Sequence, residues 1–118
     1  MKLDSAVFYS NDIEKATEFY RDVIGLEVDY IQEGKYSSFN FENAKFGIKQ
    51  RKEEREVPGS QTIFVEAKNI EDLYSLLKEK GVSFYKEIVE EDWGTNFSLL
   101  DPDGNKIQFV RRRDVFKN

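Results

Sequence analysis

The chain has 118 residues, of which 39% are hydrophobic and 35% charged, and its formal net charge is −5. This length and balance predict a single globular domain, and the acidic balance disfavours a nucleic-acid partner. The chain contains no cysteine and no histidine, which excludes disulfides, thiolate or imidazole metal ligands, a cysteine nucleophile and a Ser-His-Asp triad.

Residues 1–50 predict a strand, a helix and three further strands. Alternation at residues 5–9 indicates the first strand, and Asp12 suits a helix N-cap because its carboxylate accepts from first-turn N–H groups. The helix is expected to end at Gly25, since glycine is the preferred residue just beyond a helix. Its apolar stripe consists of Ile13, Ala16, Phe19, Tyr20 and Val23. Strand-like runs follow at residues 26–31, 35–41 and 45–50.

A run of charged residues follows at positions 51–59 and ends in Pro58-Gly59. Charge runs of this kind are usually solvated, and Pro-Gly marks a loop. We therefore expect a solvated linker between two modules, residues 1–50 and residues 60–118, within one domain that spans the whole chain.

The second half repeats the order of the first. Asn69-Ile70-Glu71-Asp72-Leu73 matches Asp12-Ile13-Glu14-Lys15-Ala16, and each segment follows an alternating strand and opens a helical pattern. The second helix carries Ile70, Leu73, Leu76 and Leu77, and it is expected to end at Gly81. Strand-like runs follow at residues 82–89, 95–100 and 106–111. Each half therefore predicts the order β-α-β-β-β.

A turn at residues 101–105, Asp-Pro-Asp-Gly-Asn, leads into the alternating strand Lys106-Ile107-Gln108-Phe109. Together with the helical segments 11–16 and 19–28 and with Trp93-Gly94, this turn resembles the vicinal oxygen chelate superfamily. That superfamily includes glyoxalases, bleomycin-resistance proteins and extradiol dioxygenases. The resemblance implies an α+β fold in which tandem βαβββ modules, with one helix each, form a curved, mostly antiparallel half-barrel sheet.

The same resemblance indicates where metal-using relatives hold their ligands, on the first and last strands of each module. Those positions are Ser5, Gly47, Thr62 and Gln108 here. Hydroxyls and an amide bind divalent metals weakly and glycine offers no side chain, so we expect neither a metal nor another cofactor. Glu66 is a possible lone carboxylate ligand, and Glu66 with Tyr9 a possible acid/base pair. The alternative for Glu66 is an acid at a strand end that reaches solvent or pairs with a lysine.

Strand alternation separates a face that packs under the helices from a face that lines a cavity. Phe8, Phe39, Phe97 and Leu99 belong to the helix side. A wall of aromatic side chains with a few polar groups is typical of a small-molecule pocket. Each of these aromatic residues is also compatible with plain core packing, and Ser5 and Thr62 with local hydrogen bonding. The predicted ligand-binding residues are Ser5, Tyr9, Asn40, Thr62, Phe64, Glu66, Tyr85, Trp93, Asn96, Ser98 and Gln108.

Three functional hypotheses follow, and the leading one is a metal-independent protein that binds a small drug or metabolite, as bleomycin-resistance relatives do. The alternative is a lyase or oxidoreductase of the glyoxalase or dioxygenase type with an atypical or absent metal site. A third hypothesis, a partner that binds another protein through a sheet edge or helix face, has no signal in the sequence.

The sequence also leads to predictions of assembly and location. Small two-module relatives commonly pair as homodimers, and isologous dimers are the commonest closed assembly, so we expect a homodimer. No apolar run approaches the roughly 18 residues of a membrane span, and residues 1–4 lack a signal-peptide core, so we expect a cytoplasmic location. The basic cluster Arg111-Arg112-Arg113 is expected to be a solvated tail, with phosphate contact as the alternative.

Overall fold

The computed structural model describes residues 1–113, and the chain divides into two compact units. The first unit comprises residues 1–61 and the turn 101–105, and the second comprises residues 62–100 and 106–113. Each unit contains one helix and one four-stranded mixed sheet. The α+β class and the tandem β-α-β-β-β order are therefore confirmed.

The elements of the first unit are β1 Ser5–Ser10, α1 Ile13–Glu18, β2 Glu27–Gln32, β3 Tyr36–Asn40 and β4 Lys45–Gln50. The strand order in its sheet is β1-β4-β3-β2, in which β1 runs parallel to β4 and the other neighbours are antiparallel. The helix continues directly as a π-helical stretch, Phe19–Ile24, which the sequence pattern does not distinguish from an ordinary helix.

Both predicted ends of the first helix are confirmed. The Asp12 carboxylate accepts a hydrogen bond from the Lys15 N–H at 3.3 Å. Gly25 has a φ of 85°, a left-handed conformation that glycine adopts without the cost a Cβ would bring. The Leu26 N–H then donates to the Tyr20 carbonyl at 2.9 Å, which satisfies an end carbonyl as a Schellman-type ending does.

Aromatic rings form the core under this helix. Phe46 packs edge-to-face on Phe8 and Tyr20, with ring centroids 5.0 Å and 5.2 Å away. Phe39 is fully buried beside them, so the prediction that Phe8 and Phe39 belong to the helix side is confirmed. Edge-to-face pairs add roughly 0.5–1.5 kcal/mol each to the burial of their apolar area.

The turn at residues 101–105 carries a buried polar cluster in the same unit. The Tyr20 hydroxyl donates to Asp101 Oδ2 at 2.7 Å, and the Asn105 amide donates to the same oxygen at 3.2 Å. Asn105, which has no exposed surface, also donates to the Tyr9 carbonyl and accepts from the backbone N–H groups of Gly59 and Gln61. Burial raises the pKa of Asp101, although these hydrogen bonds act to lower it. Burial is also the main reason that the pKa of Tyr20 lies well above its usual range, and the charge of Asp101 raises it further.

The charged run after β4 is solvated except at its end. Lys52 and Arg55 are exposed, as expected, but Glu56 is only 2% exposed. Its carboxylate accepts from Lys49 Nζ at 2.6 Å and from the Lys52 and Glu53 N–H groups at 2.9 Å. The Lys49 hydrogen bond and then the two backbone donors lower the pKa of Glu56 to about 2. The run therefore folds around one buried, fully partnered carboxylate.

The elements of the second unit are β5 Thr62–Glu66, α2 Ile70–Glu79, β6 Lys86–Glu91, β7 Gly94–Leu100 and β8 Lys106–Arg112. The unit repeats the topology of the first with the order β5-β8-β7-β6, in which β5 runs parallel to β8 and the other neighbours are antiparallel. Leu77, Phe97 and Phe109 are among its buried core residues. No helix within residues 1–113 has the length and apolarity needed to cross a membrane.

One local prediction for the second unit is wrong, and its helix begins differently from the first. Asn69 lies at the N-cap position of α2, but its side chain makes no capping hydrogen bond. The sixth strand begins at Lys86 instead of residue 82, because the chain is still engaged with the end of the helix. The Val82 N–H donates to the Leu77 carbonyl at 3.2 Å, and Phe84 turns into the core against Tyr74, with ring centroids 4.5 Å apart.

The buried amide of Asn105 predicts a specific pH-dependent effect. We expect Asn105→Asp to lower the free energy of unfolding by about 3 kcal/mol at pH 7, since it loses two donors and sets a second carboxylate against Asp101. Burial and the Asp101 charge raise the pKa of the introduced carboxyl in the folded state, so folding favours its protonated form. The loss should therefore be smallest below about pH 4 and grow as the pH rises.

Urea unfolding between pH 4 and pH 8 measures this effect, with Asn43→Asp at an exposed loop position as the matched control. Equal losses for the two variants, or a loss for Asn105→Asp that does not change with pH, would contradict the role of this cluster.

Candidate functional site

One face of the second sheet collects most of the residues predicted to bind a ligand. Alternate residues Phe97 and Phe109 are buried on the helix side, which leaves their neighbours on the opposite face. On that face Phe64 pairs with Gln108 across the parallel strands, and Gln108 pairs with Ser98. The predicted residues of this face are Thr62, Phe64, Glu66, Asn96, Ser98 and Gln108.

A polar network lies at the centre of this face. Gln108 Nε2 donates to Asn96 Oδ1 at 3.1 Å, and Asn96 Nδ2 donates to Glu91 Oε2 at 2.7 Å. Lys86 Nζ donates to both of those oxygens at 3.1 Å. Hydrogen bonds from Asn96, then Lys86, lower the pKa of Glu91, and Trp93 adds to the effect. The Glu91 carboxylate is therefore charged and fully engaged near neutral pH, which leaves it a weak base.

Sequence reasoning missed Lys86 and Glu91, although both belong to this network. They are five positions apart, an odd spacing, so strict alternation along a strand would place them on opposite faces. A β-bulge between Lys86 and Val89 inserts one extra residue, and the register changes from Lys86 opposite Ser98 to Val89 opposite Asn96. The alternation of side chains between the two faces therefore shifts by one residue at the bulge. As a result, the side chains of Lys86 and Glu91 both reach Asn96.

Exposed aromatic rings surround this polar centre, and each lies beside a cation. Phe64 is 57% exposed and Tyr85 63% exposed, so neither is part of the core. The Arg112 guanidinium carbon lies 5.9 Å from the ring centroid of Phe64 and 5.6 Å from that of Trp93. Lys106 Nζ lies 6.0 Å from the ring centroid of Tyr85. These separations are within the range of cation–π attraction, so the cations help to hold the rings in place.

The corresponding face of the first sheet is closed by its own side chains. Asn40 donates to Glu27 Oε2 at 3.1 Å and accepts from Lys45 Nζ, which also lies 3.4 Å from Asp29 Oδ1. Tyr9 is half-buried on β1. Asn40 is thus held in a network of charged groups, as Asn96 is in the second sheet.

Two depressions in the first unit border this face and the helix. One, of about 290 Å³, includes Tyr30, Tyr36 and Lys49. The larger, of about 370 Å³, lies between α1 and the β2–β3 hairpin and includes Thr17 and Ser37, whose hydroxyls are 2.7 Å apart. The larger depression contains none of the predicted ligand-binding residues.

The positions that would carry metal ligands do not fit a metal in this chain. The Tyr36 hydroxyl occupies the space that a Cβ on Gly47 would need, and Ser5 hydrogen-bonds to the same phenol. The Gln108 amide is engaged with Asn96, and Thr62 supplies only a neutral hydroxyl. Within residues 1–113 no three histidine, cysteine or carboxylate side chains converge as a metal site requires. The groups at these four positions are neutral, and one position is blocked by the Tyr36 side chain. Divalent metals in proteins require charged or imidazole ligands, so these residues do not fit a metal.

This fold and this arrangement of strand-borne residues define a member of a known superfamily. The family model described as the Glyoxalase/Bleomycin resistance protein/Dioxygenase superfamily matches residues 2–109, and the chain belongs to that superfamily.

The individual proteins that the chain resembles share less than a third of its sequence. The chain is 29% identical to the uncharacterized protein YraH of Bacillus subtilis, over 94% of this chain and 98% of that protein. Its fold is similar to TnmS3, an antibiotic binding protein from Streptomyces sp. CB03234, with a TM-score of 0.82 at 21% identity over 96% and 97% of the two chains. It is also similar to a lactoylglutathione lyase from Agrobacterium tumefaciens, with a TM-score of 0.77 at 17% identity over 92% and 91%. At these identities the structural likenesses establish the fold alone.

The polar centre of the second sheet predicts unequal effects for two strand asparagines. Asn96 has no exposed surface and joins Gln108, Lys86 and Glu91, so Asn96→Ala should leave the buried Gln108 amide without its acceptor and cost about 2 kcal/mol. Asn40→Ala is the matched control, because its partners Glu27 and Lys45 are exposed to water, and it should cost less than about 0.5 kcal/mol. Urea unfolding at pH 7 measures both, and equal losses would contradict a structural role for the Asn96 network.

Proposed function

We propose that the protein is a metal-independent binding protein for a small aromatic molecule, either a drug or a metabolite. The observation that carries this proposal is the second-sheet face, where Phe64 and Tyr85 lie exposed and Trp93 half-exposed around a satisfied polar centre. Burying a flat ring against such side chains releases water from apolar surface on both partners, which favours binding.

Two further points support a binding role. At two of the positions where metal-using relatives hold ligands, this chain has Gly47, which lies beneath the Tyr36 hydroxyl, and Gln108, whose amide is already hydrogen-bonded to Asn96. A neighbour of the same fold, TnmS3, is described as an antibiotic binding protein. The alternative function, a lyase or oxidoreductase of the glyoxalase or dioxygenase type, needs either a resident metal or acid/base chemistry by Glu66 and Tyr9.

A ligand screen with a matched pair of variants tests the binding role. Planar aromatic drugs and metabolites should raise the melting temperature of the wild-type protein. Phe64→Ala should abolish most of that rise because it removes a ring from the proposed site. Tyr30→Ala is the control, since Tyr30 is a similarly exposed aromatic residue on the first sheet, and it should leave the rise unchanged.

Elemental analysis of the purified protein separates this role from the metal-dependent alternative. We expect substoichiometric transition metal, with a melting temperature that does not change after treatment with a chelator. A transition metal bound at one equivalent, or the absence of any aromatic ligand at millimolar concentration, would contradict the proposal.

The homodimer and the single-domain organisation also stay proposals. Isologous dimers are the commonest closed assembly, which favours a homodimer for a chain of this size. Sedimentation equilibrium at micromolar concentration should give about twice the 13.9 kDa of one chain, and a mass near 13.9 kDa would contradict a dimer. A cytoplasmic location is a further proposal, which fractionation of cells that express the tagged protein would test.

A further inference from the structure

Three consecutive arginines at the end of β8 have different partners. The Arg111 guanidinium makes a two-pronged ion pair with Glu71, at 2.6 Å and 2.5 Å, and the Arg113 guanidinium pairs with Glu90. Arg112 projects to the opposite face of the sheet, as alternation requires. Within residues 1–113 no carboxylate lies within ion-pair distance of Arg112. The cluster is therefore not a uniform solvated tail, because its middle cation is separated from the other two.

The Arg112 cation lies against the two rings that the sequence independently predicts to line a ligand site. Phe64 and Trp93 attract the guanidinium through their π-electrons and hold it at 5.9 Å and 5.6 Å. These contacts use no N–H donor, and no protein acceptor within residues 1–113 takes a hydrogen bond from the Arg112 side chain. A guanidinium presents five donors in a rigid plane that matches the oxygens of carboxylate and phosphate groups.

The charges around Arg112 favour an anion at this position. On the same face Glu91 is neutralised by Lys86 at 3.1 Å, while Lys106 lies beside the ring of Tyr85 and forms no ion pair with residues 1–113. The remaining acid is Glu66, which forms no ion pair within the described part of the chain. The chain as a whole carries a charge of −5, so this face has a local excess of cations on an acidic protein.

We propose that Arg112 binds the acidic group of the ligand, and that the ligand is an aromatic acid whose ring packs against Phe64 and Trp93. This inference rests on the proposed binding function and specifies the chemical class of its ligand. The acidic group is a carboxylate or sulfonate, whose paired oxygens match the free edge of the guanidinium. The cationic drugs that an acidic protein would attract on net charge alone are thereby disfavoured at this site.

Two dyes that differ in a single group test this inference. 8-Anilinonaphthalene-1-sulfonate and N-phenyl-1-naphthylamine share their rings, and only the first carries a sulfonate. We expect Arg112→Gln to weaken binding of the sulfonate dye about tenfold or more, because it removes a charge-assisted pair, and to change binding of the neutral dye less than about twofold. Arg113→Gln, on the opposite face, should change neither. Fluorescence titrations at fixed ionic strength measure all six dissociation constants.

Each result distinguishes the two proposals. If Arg112→Gln weakens both dyes equally, or if Arg113→Gln weakens the sulfonate dye as much as Arg112→Gln does, the assignment of Arg112 is wrong while aromatic binding stands. If neither dye binds the wild-type protein, both proposals fail. Arg112→Lys serves as a second variant that keeps the charge without the planar fork, and it should retain only part of the sulfonate affinity. Circular dichroism spectra that match the wild type ensure that each variant is folded.

Discussion

The register of β7 against β8 is the constraint on which the functional face depends, and the turn at residues 101–105 sets it. The Asp101 N–H donates to the Asn105 carbonyl at 2.8 Å, and Leu100 then pairs with Lys106 directly beyond the turn. Side chains alternate along a strand, so a slip by one residue would move Gln108 from the face opposite the helix to the helix side. The buried hydrogen bonds of Asp101 and Asn105 hold the turn in one conformation and thereby exclude such a slip.

The two sheets share one topology but differ in the side chains on the face opposite the helix. In the first sheet the Tyr36 hydroxyl covers Gly47, and Asn40 is held between Glu27 and Lys45. In the second sheet the polar groups satisfy one another, and the aromatic rings stay exposed around them. A polar centre without unmet hydrogen bonds imposes no cost when a ligand displaces water from the rings. The chemistry of this face is therefore that of binding through stacking and charge.

Much of the fold was predictable because its signals are local. Asp12 and Gly25 delimit the first helix as expected, and the alternation of β7 and β8 placed Asn96, Ser98 and Gln108 on one face. The missed residues depend on tertiary context. Lys86 and Glu91 reach the same face only through a β-bulge, and Glu56 resembles its solvated neighbours until the fold brings Lys49 to it. For the same reason, the sequence does not distinguish Arg112 from the arginines on either side, because only the pairing of β8 shows that Phe64 and Trp93 are beside it.

The central claim, that an aromatic acid binds on the second-sheet face, has a direct reporter because Trp93 is the only tryptophan of the chain. Its indole N–H gives a single, isolated resonance in a ¹H–¹⁵N correlation spectrum. Titration with 2-naphthoate should shift that resonance saturably, together with the backbone resonances of Phe64 and Arg112, while those of Tyr30 and Tyr36 on the first sheet stay unchanged. Shifts confined to the first sheet, or an indole resonance that does not move at saturating ligand, would contradict the account.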